Sequence, residues 1–210
     1  MREALTASVA SEMIDSNLLL VWGGAFKHCG RDELIFTEGQ LPHFYHQVHE
    51  GKVKMFNAAD AGKEFIQGFF TAGQSFGEPP IFAEEKYPAS ALALEPSVLI
   101  RLRIDTFKQL LKENFDIHYK VTCMMSQRVL NKTNNLKEIS CHNPEHRILS
   151  ILDTYKKDHY SELGGGKIKI DFTRQEIADM SGLRVETVIR AMRHMHDEQL
   201  IVIEKGKVYY

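Results

Sequence analysis

At 210 residues, with 43% apolar and 26% charged side chains, the chain can fill one sizeable core or two modest ones, and wholesale disorder is excluded. Its formal net charge of -2 supplies no overall attraction for nucleic acid, so any such function falls to a local cationic surface. Neither a leader-like start nor an apolar run long enough for a bilayer is present, and a cytoplasmic protein without a membrane partner is expected. Cys29, Cys123 and Cys141 are too few and too scattered for a disulfide framework or a metal cluster, and are read as reduced thiols.

From Met1 to about Ala25 the pattern is short and partly apolar, ending in LLLVWGG, and predicts a small helix covering the edge of the adjoining β region. Between about Phe26 and Arg103 come short β-prone runs, ELIFTEGQ, HFYHQVHEGKVKMF, KEFIQGFFTAGQSFGE and ASALALEPSVLIRLR, separated by turn residues. Many short strands without alternating helices predict a barrel or jelly roll, with Gly39, Gly51, Gly73 and Gly77 at its turns. DTFKQLLKENFDIHYKVTCMMSQRVLNKTNNLKEI then reads mostly as helix. Phe107, Leu110, Leu111 and Phe115 form its early apolar face, continued by Val121, Met124, Met125, Val129, Leu130 and Leu136. That stripe fits burial within its own domain or against a second copy of the chain. Cys141 to Pro144 reads as a break, PEHRILSILDTYKKD as a helix opening a second domain, SELGGGK as a turn and KIKIDF as a short strand.

The last segment, FTRQEIADMSGLRVETVIRAMRHMHDEQLI, holds two short periodic runs around Ser-Gly-Leu. Thr173 and Glu176 fit a capping box for a helix from Arg174 to Met180, and Gly182 permits an abrupt corner. A second helix begins around Arg184, with Val188, Met192 and Met195 recurring on its core face. Arg184, Glu186, Arg190 and Arg193 lie away from that face, and arginine and glutamate are side chains that can bond base edges or phosphate in a major groove. LIVIEKGKVYY adds two β-prone runs around Lys205-Gly206, a hairpin or wing whose lysines, Lys207 among them, can touch phosphate. Together these predict a winged helix-turn-helix.

With these parts in order, the sequence resembles the bacterial transcription regulators that include the cyclic-AMP receptor protein and the fumarate-nitrate regulator. The likeness covers about residues 15 to 210, strongest in TRQEIA, the glycine corner and ETV-x-R, and looser in FTAGQSFGE. The resemblance implies an α+β architecture: a cyclic-nucleotide-binding-like β jelly roll over 1–115, a dimerisation helix over 116–140 and a winged helix over 141–210. It implies double-stranded DNA with roughly palindromic half-sites as the partner of a homodimer, with RNA polymerase and a small-molecule effector as further partners. Glu186 and Arg190 then fall where the family reaches base edges, while Thr173, Gln175, Arg184, Arg193 and Lys207 accompany them along the duplex. Val185 stands where the cyclic-AMP receptor protein has a base-contacting arginine.

On the effector side, Gly77 and Glu78 match the family's phosphate and ribose loop, Thr133 matches a central-helix position near the adenine, and Lys86 is the nearest substitute for a missing cation. Pro88 replaces the phosphate-neutralising arginine and Ala89 its hydroxyl neighbour, leaving a buried phosphate uncompensated.

Other chemistries find less support. His43, His46 and His49 alternate across a strand, and Cys141, His142 and His146 lack a closing ligand. A four-thiolate iron-sulfur cluster exceeds the cysteines present, and haem at His118 has only composition behind it. Gly164 to Gly166 lack the Lys-Ser/Thr of a phosphate loop. No catalytic motif emerges, so neither enzyme activity nor a cofactor is expected; the alternative is a ligand-binding or interaction module of jelly-roll fold, without sequence-specific DNA recognition, whose terminal arginines would be buried or paired.

Overall fold

The computed structural model describes residues 12–58, 64–141, 143–159 and 167–210. They fall into two compact units whose boundary lies after Gln127, within one long helix.

The first unit opens with α1 (Ser16–Val21), whose start is capped by the Asp15 carboxylate accepting from Leu18 N–H at 2.9 Å. The earlier part of the expected N-terminal helix lies outside the described residues. Among the described residues eight strands follow: β1 (Ala25–Cys29), β2 (Leu34–Phe36), β3 (Phe44–Glu50), β4 (Lys52–Ala58), β5 (Glu64–Thr71), β6 (Ser75–Phe76), β7 (Ser90–Ala93) and β8 (Ser97–Arg103), with α2 (Pro79–Ala83) between β6 and β7. They form two four-stranded sheets, β1-β8-β3-β6 and β2-β7-β4-β5, and the pairings described within them are antiparallel. This is the expected jelly roll. Gly39, Gly51, Gly73 and Gly77 all have positive φ, as their turn positions require.

Both faces of β3 are covered, which explains why Tyr45, His46, Gln47 and Val48 are all buried and the usual strand alternation is lost. Tyr45 stacks on Phe107 with centroids 4.3 Å apart. Gln47 holds Ile14 at both backbone groups, accepting from its N–H at 3.0 Å and donating to its carbonyl at 2.7 Å. His46 and Val48 point the other way, between the sheets, where Val48 joins Cys29, Phe36, Val53, Phe76, Tyr87 and Leu99 in the inner core.

The region expected as mostly helix holds two helices. α3 (Ile104–Glu113) stops at Asn114, with φ -127° and ψ 84° and a side-chain amide that donates to Leu110 O at 2.9 Å. α4 (Phe115–Cys141) starts directly after it. The expected apolar face divides accordingly: Phe107, Leu110, Leu111 and Val121 are buried with α1, and Met124 and Met125 pack partly against them. Phe115, Tyr119, Val129 and Leu130 are exposed, Phe115 to 75%.

In the second unit α5 (Pro144–His159), β9 (Lys169–Ile170), α6 (Arg174–Ser181), α7 (Val185–Asp197), β10 (Val202–Glu204) and β11 (Lys207–Tyr209) surround one core. Ile148, Leu152, Ile177, Val188, Met192, Met195 and Val208 lie at its centre. Within KIKIDF the strand is β9, extended by a mutual backbone pair between Ile168 and Tyr210; β11 accepts β9 on one edge and β10 on the other. The SELGGGK turn and the Cys141–His142 pair fall largely among residues not described.

Candidate nucleic-acid interface

The start of α6 carries the capping box read from sequence. Glu176 N–H donates to Thr173 Oγ1 at 3.1 Å, and Glu176 Oε2 accepts from Thr173 N–H at 2.7 Å and from its hydroxyl at 2.9 Å. The threonine proton is therefore engaged within the box, and must turn away from Glu176 before the hydroxyl can donate to a phosphate. Gln175 is exposed, with one amide hydrogen directed to Asp179 Oδ1 at 2.8 Å. At the other end Gly182 closes the helix with φ 66° and its N–H on Ala178 O. A Cβ there would meet nothing within 4 Å, so glycine serves the backbone angle rather than space.

Arg184 is the N-cap of α7, in extended conformation, and its side chain makes no cap bond. Val188, Ala191, Met192 and Met195 bury one side of α7. Glu186, Arg190 and Arg193 fall within about 60° of arc on the opposite side and are exposed. Among the described residues nothing pairs with Arg184, Glu186, Arg190 or Arg193 through a hydrogen bond or ion pair. The arginines are thus neither buried nor neutralised, the arrangement expected of a reading helix and not of the alternative module. Val185 is half-buried and packs partly against the core.

The wing is built by Lys205 and Gly206, both left-handed at φ 48° and 77°, in a two-residue turn between β10 and β11. It leaves Lys205 and Lys207 exposed. Tyr210 anchors its far end, its hydroxyl donating to Asp153 Oδ1 at 2.6 Å; burial, then this bond, raises the phenol pKa to about 12. The Glu145 carboxylate lies 3.9 Å from His194, beside α7.

The effector-side residues differ from a nucleotide cradle. Gly77 has φ 76°, and a Cβ there would lie 3.1 Å from Phe36 and 3.2 Å from Tyr87, so these two rings already fill the space over the loop. They stack at 3.7 Å and 5°. Glu78 is fully buried, whereas Lys86, Pro88 and their neighbours Glu84 and Glu85 are exposed. Lys86 therefore does not restore the missing phosphate cation inside. Thr133 is exposed on the part of α4 belonging to the second unit and donates to Val129 O at 3.0 Å.

His46, set aside in the sequence as a metal ligand, is 5% exposed between Phe36 and Phe76, and among the described residues its Nδ1 has no hydrogen-bond partner. Burial first, then Arg101 and Lys27, pushes its pKa down to about 3. The Tyr87 hydroxyl likewise has no hydrogen-bond partner among the described residues, and burial followed by the nearby Glu78 carboxylate raises its pKa. These inward groups escaped the sequence reading; the unbroken burial of YHQV was masked by its polar letters. Among the described residues no set of three or more His, Cys, Asp or Glu converges as a metal site, and no helix is long and apolar enough to cross a membrane.

A jelly-roll sensory domain followed by a winged helix-turn-helix defines a transcription regulator of the one-chain, sensor-plus-reader class. Comparison with known proteins agrees: the cyclic nucleotide-binding domain model matches residues 26–114 and the Crp-like helix-turn-helix model residues 146–209. The chain belongs to the CRP/FNR family of transcription regulators. It is 27% identical over 176 residues to the cAMP-activated global transcriptional regulator CRP of Haemophilus influenzae, covering 83% of this chain and 78% of that one. To the fumarate and nitrate reduction regulatory protein of Yersinia pestis it is 24% identical over 180 residues, covering 84% and 70%. In fold it is similar to the c-di-GMP-responsive global regulator CLP of Xanthomonas campestris (TM-score 0.76, 18% identity, 92% and 96% covered). A CooA mutant from Carboxydothermus hydrogenoformans is likewise similar (TM-score 0.75, 15% identity, 100% and 91% covered).

Proposed function

We propose that this regulator reads double-stranded DNA as a homodimer, with Glu186 and Arg190 of each α7 at base edges and Arg184, Arg193, Thr173, Gln175 and Lys207 along the backbone. The observation that carries the reading is the exposed Glu186–Arg190–Arg193 stripe, without a partner among the described residues, on a helix locked to its core by the opposite face. Arginine's paired donors match guanine O6 and N7, and a glutamate accepts from the cytosine amino group. Val185 adds an apolar contact where the cyclic-AMP receptor protein has an arginine, so the two proteins select different operators.

The dimer contact is the exposed side of α4. At helical spacing Phe115, Tyr119, Ser126, Val129, Leu130 and Thr133 fall within about 60° either side of one line, and Phe115 and Tyr119 stack at 6.2 Å. An apolar stripe of this length is covered most simply by its own copy. In this reading residues 1–115 are the effector-binding-like domain, 116–140 the dimerisation helix and 141–210 the DNA-binding domain. Two readers related by a two-fold axis select half-sites about 34 Å apart. An effector acts on this dimer only by favouring one arrangement of the readers, and RNA polymerase is the partner if the bound regulator activates.

Selection from a randomised duplex library with purified protein tests the reading. Enrichment of an approximate palindrome with half-sites one helical turn apart is expected. Failure to enrich any sequence, with and without a metabolite extract, contradicts it.

A further inference from the structure

The inner face of the jelly roll changes character along β3 and β8. Their register sets Val48 opposite Leu99, His46 opposite Arg101 and Phe44 opposite Arg103, so all six side chains share the face that Val48 and Leu99 turn to the inner core. Along this row the lining passes from apolar to cationic. It ends at an open pocket of about 440 Å³ lined by Pro42, His43, Phe44, Arg103, Ile104 and Asp105.

The cations of this face are not equally balanced. Lys27, opposite Leu99 on β1, has the Glu33 carboxylate at 3.2 Å, and Arg103 has Asp105 at 3.8 Å. Among the described residues no carboxylate lies within ion-pair reach of Arg101, and its buried Nε has no hydrogen-bond partner. The guanidinium lies instead over the Phe44 ring, 4.8 Å from its centroid, and the residue opposite on β1 is Ala25, too short to cover it. Directly across the ladder stands His46, whose buried Nδ1 is also without a partner among the described residues. A methionine in place of Arg101 would pack a similar stem without leaving a charge unbalanced, so folding gives no reason for an arginine there.

A ligand supplies the reason. Phe44 both holds the Arg101 guanidinium and lines the pocket, and Arg101 is only partly buried, which leaves the outer nitrogens of its fork open to that side. We infer that this mouth of the jelly roll binds a small anion by its carboxylate or phosphate group, which takes paired hydrogen bonds from Arg101 and a further one from His46, with Arg103 and His43 at the rim. The anion brings the charge that Arg101 lacks and an acceptor for the Nδ1–H tautomer of His46. Gly77 and Glu78 line no part of this pocket, so the site is distinct from the nucleotide loop. The inference stands apart from the DNA-reading function and goes beyond it by giving the sensory domain a ligand of stated chemistry.

The test titrates the full chain with inorganic phosphate and, separately, with succinate, in a chloride buffer of fixed ionic strength. Calorimetry reads the binding, and the histidine ring signals in the NMR spectrum report where it occurs. At least one of the two anions should fill one saturable site per chain with a Kd of about 1 mM or below, and should shift the His46 signals. Arg101→Met should weaken that binding at least about tenfold and, without anion, melt no lower than wild type, because it removes an unbalanced charge. Arg101→Lys keeps the charge but loses the fork, and should weaken binding as well. The inference is overturned by absence of saturation with both anions up to about 10 mM, by saturation that leaves the His46 signals unmoved, or by undiminished affinity in the Arg101 variants. Binding lost in Arg190→Ala would place the anion on α7 and overturn it too.

Discussion

Acid should destabilise this protein through His46, and the size of the effect is set by its surroundings. The imidazole is 5% exposed among Phe36, Phe44 and Phe76, and Arg101 and Lys27 add positive charge nearby. Its folded pKa is about 3 against an ordinary 6.5. The unfolded chain takes up a proton below 6.5 and the folded one does not until about 3, so stability falls as pH drops through that window. Each unit is equivalent to about 1.4 kcal/mol, which makes the loss about 2–3 kcal/mol by pH near 4.5. Other histidines and carboxylates also titrate, but they do so equally in a His46→Leu variant. Urea unfolding of both proteins at fixed protein concentration, at about pH 7.5 and 4.5, isolates the imidazole as a difference of differences. The gap between variant and wild type should move by about 2–3 kcal/mol in favour of the variant on acidification. Parallel curves would show that His46 is solvated or charged in the folded protein, and the account of the inner core would be wrong.

Gly182→Ala should cost about 1–2 kcal/mol, set by φ 66° alone because the space is open. Gly77→Ala should cost more, since its Cβ also crowds Phe36 and Tyr87; the two unfolding midpoints give the order, and equal losses would deny the close approach. Cyclic AMP at about 1 mM should leave the melting temperature unchanged, whereas a micromolar binder would add about 4 kcal/mol. Leu130→Arg places a charge in the exposed stripe of α4 and should shift sedimentation towards the monomer; an unaltered dimer would move the interface elsewhere.

The DNA-reading unit was legible in the sequence because its signals are local. Thr173 and Glu176 sit at capping-box spacing, Gly182 follows at the corner, and Val188, Met192 and Met195 mark a helical core face, so chain order alone specifies which side of α7 faces outward. The jelly roll was legible as a class, from short strands and turn glycines, but its interior was not. Whether His46 faces solvent or core depends on which sheet covers β3, and the stacking of Phe36 on Tyr87 joins residues far apart in the chain. Asn114 shows the same limit: an asparagine is tolerated within a helix, and only its bond back to Leu110 O reveals that α3 ends there.

The most direct test of the central claim compares wild type and Arg190→Ala on the selected operator and on a scrambled duplex of equal length, at one salt concentration. If Arg190 reads a base, the variant should lose about 1–3 kcal/mol on the operator and almost nothing on the scrambled duplex. Equal losses on both would make Arg190 a phosphate contact and contradict the assignment of α7 as the helix that reads sequence through Glu186 and Arg190.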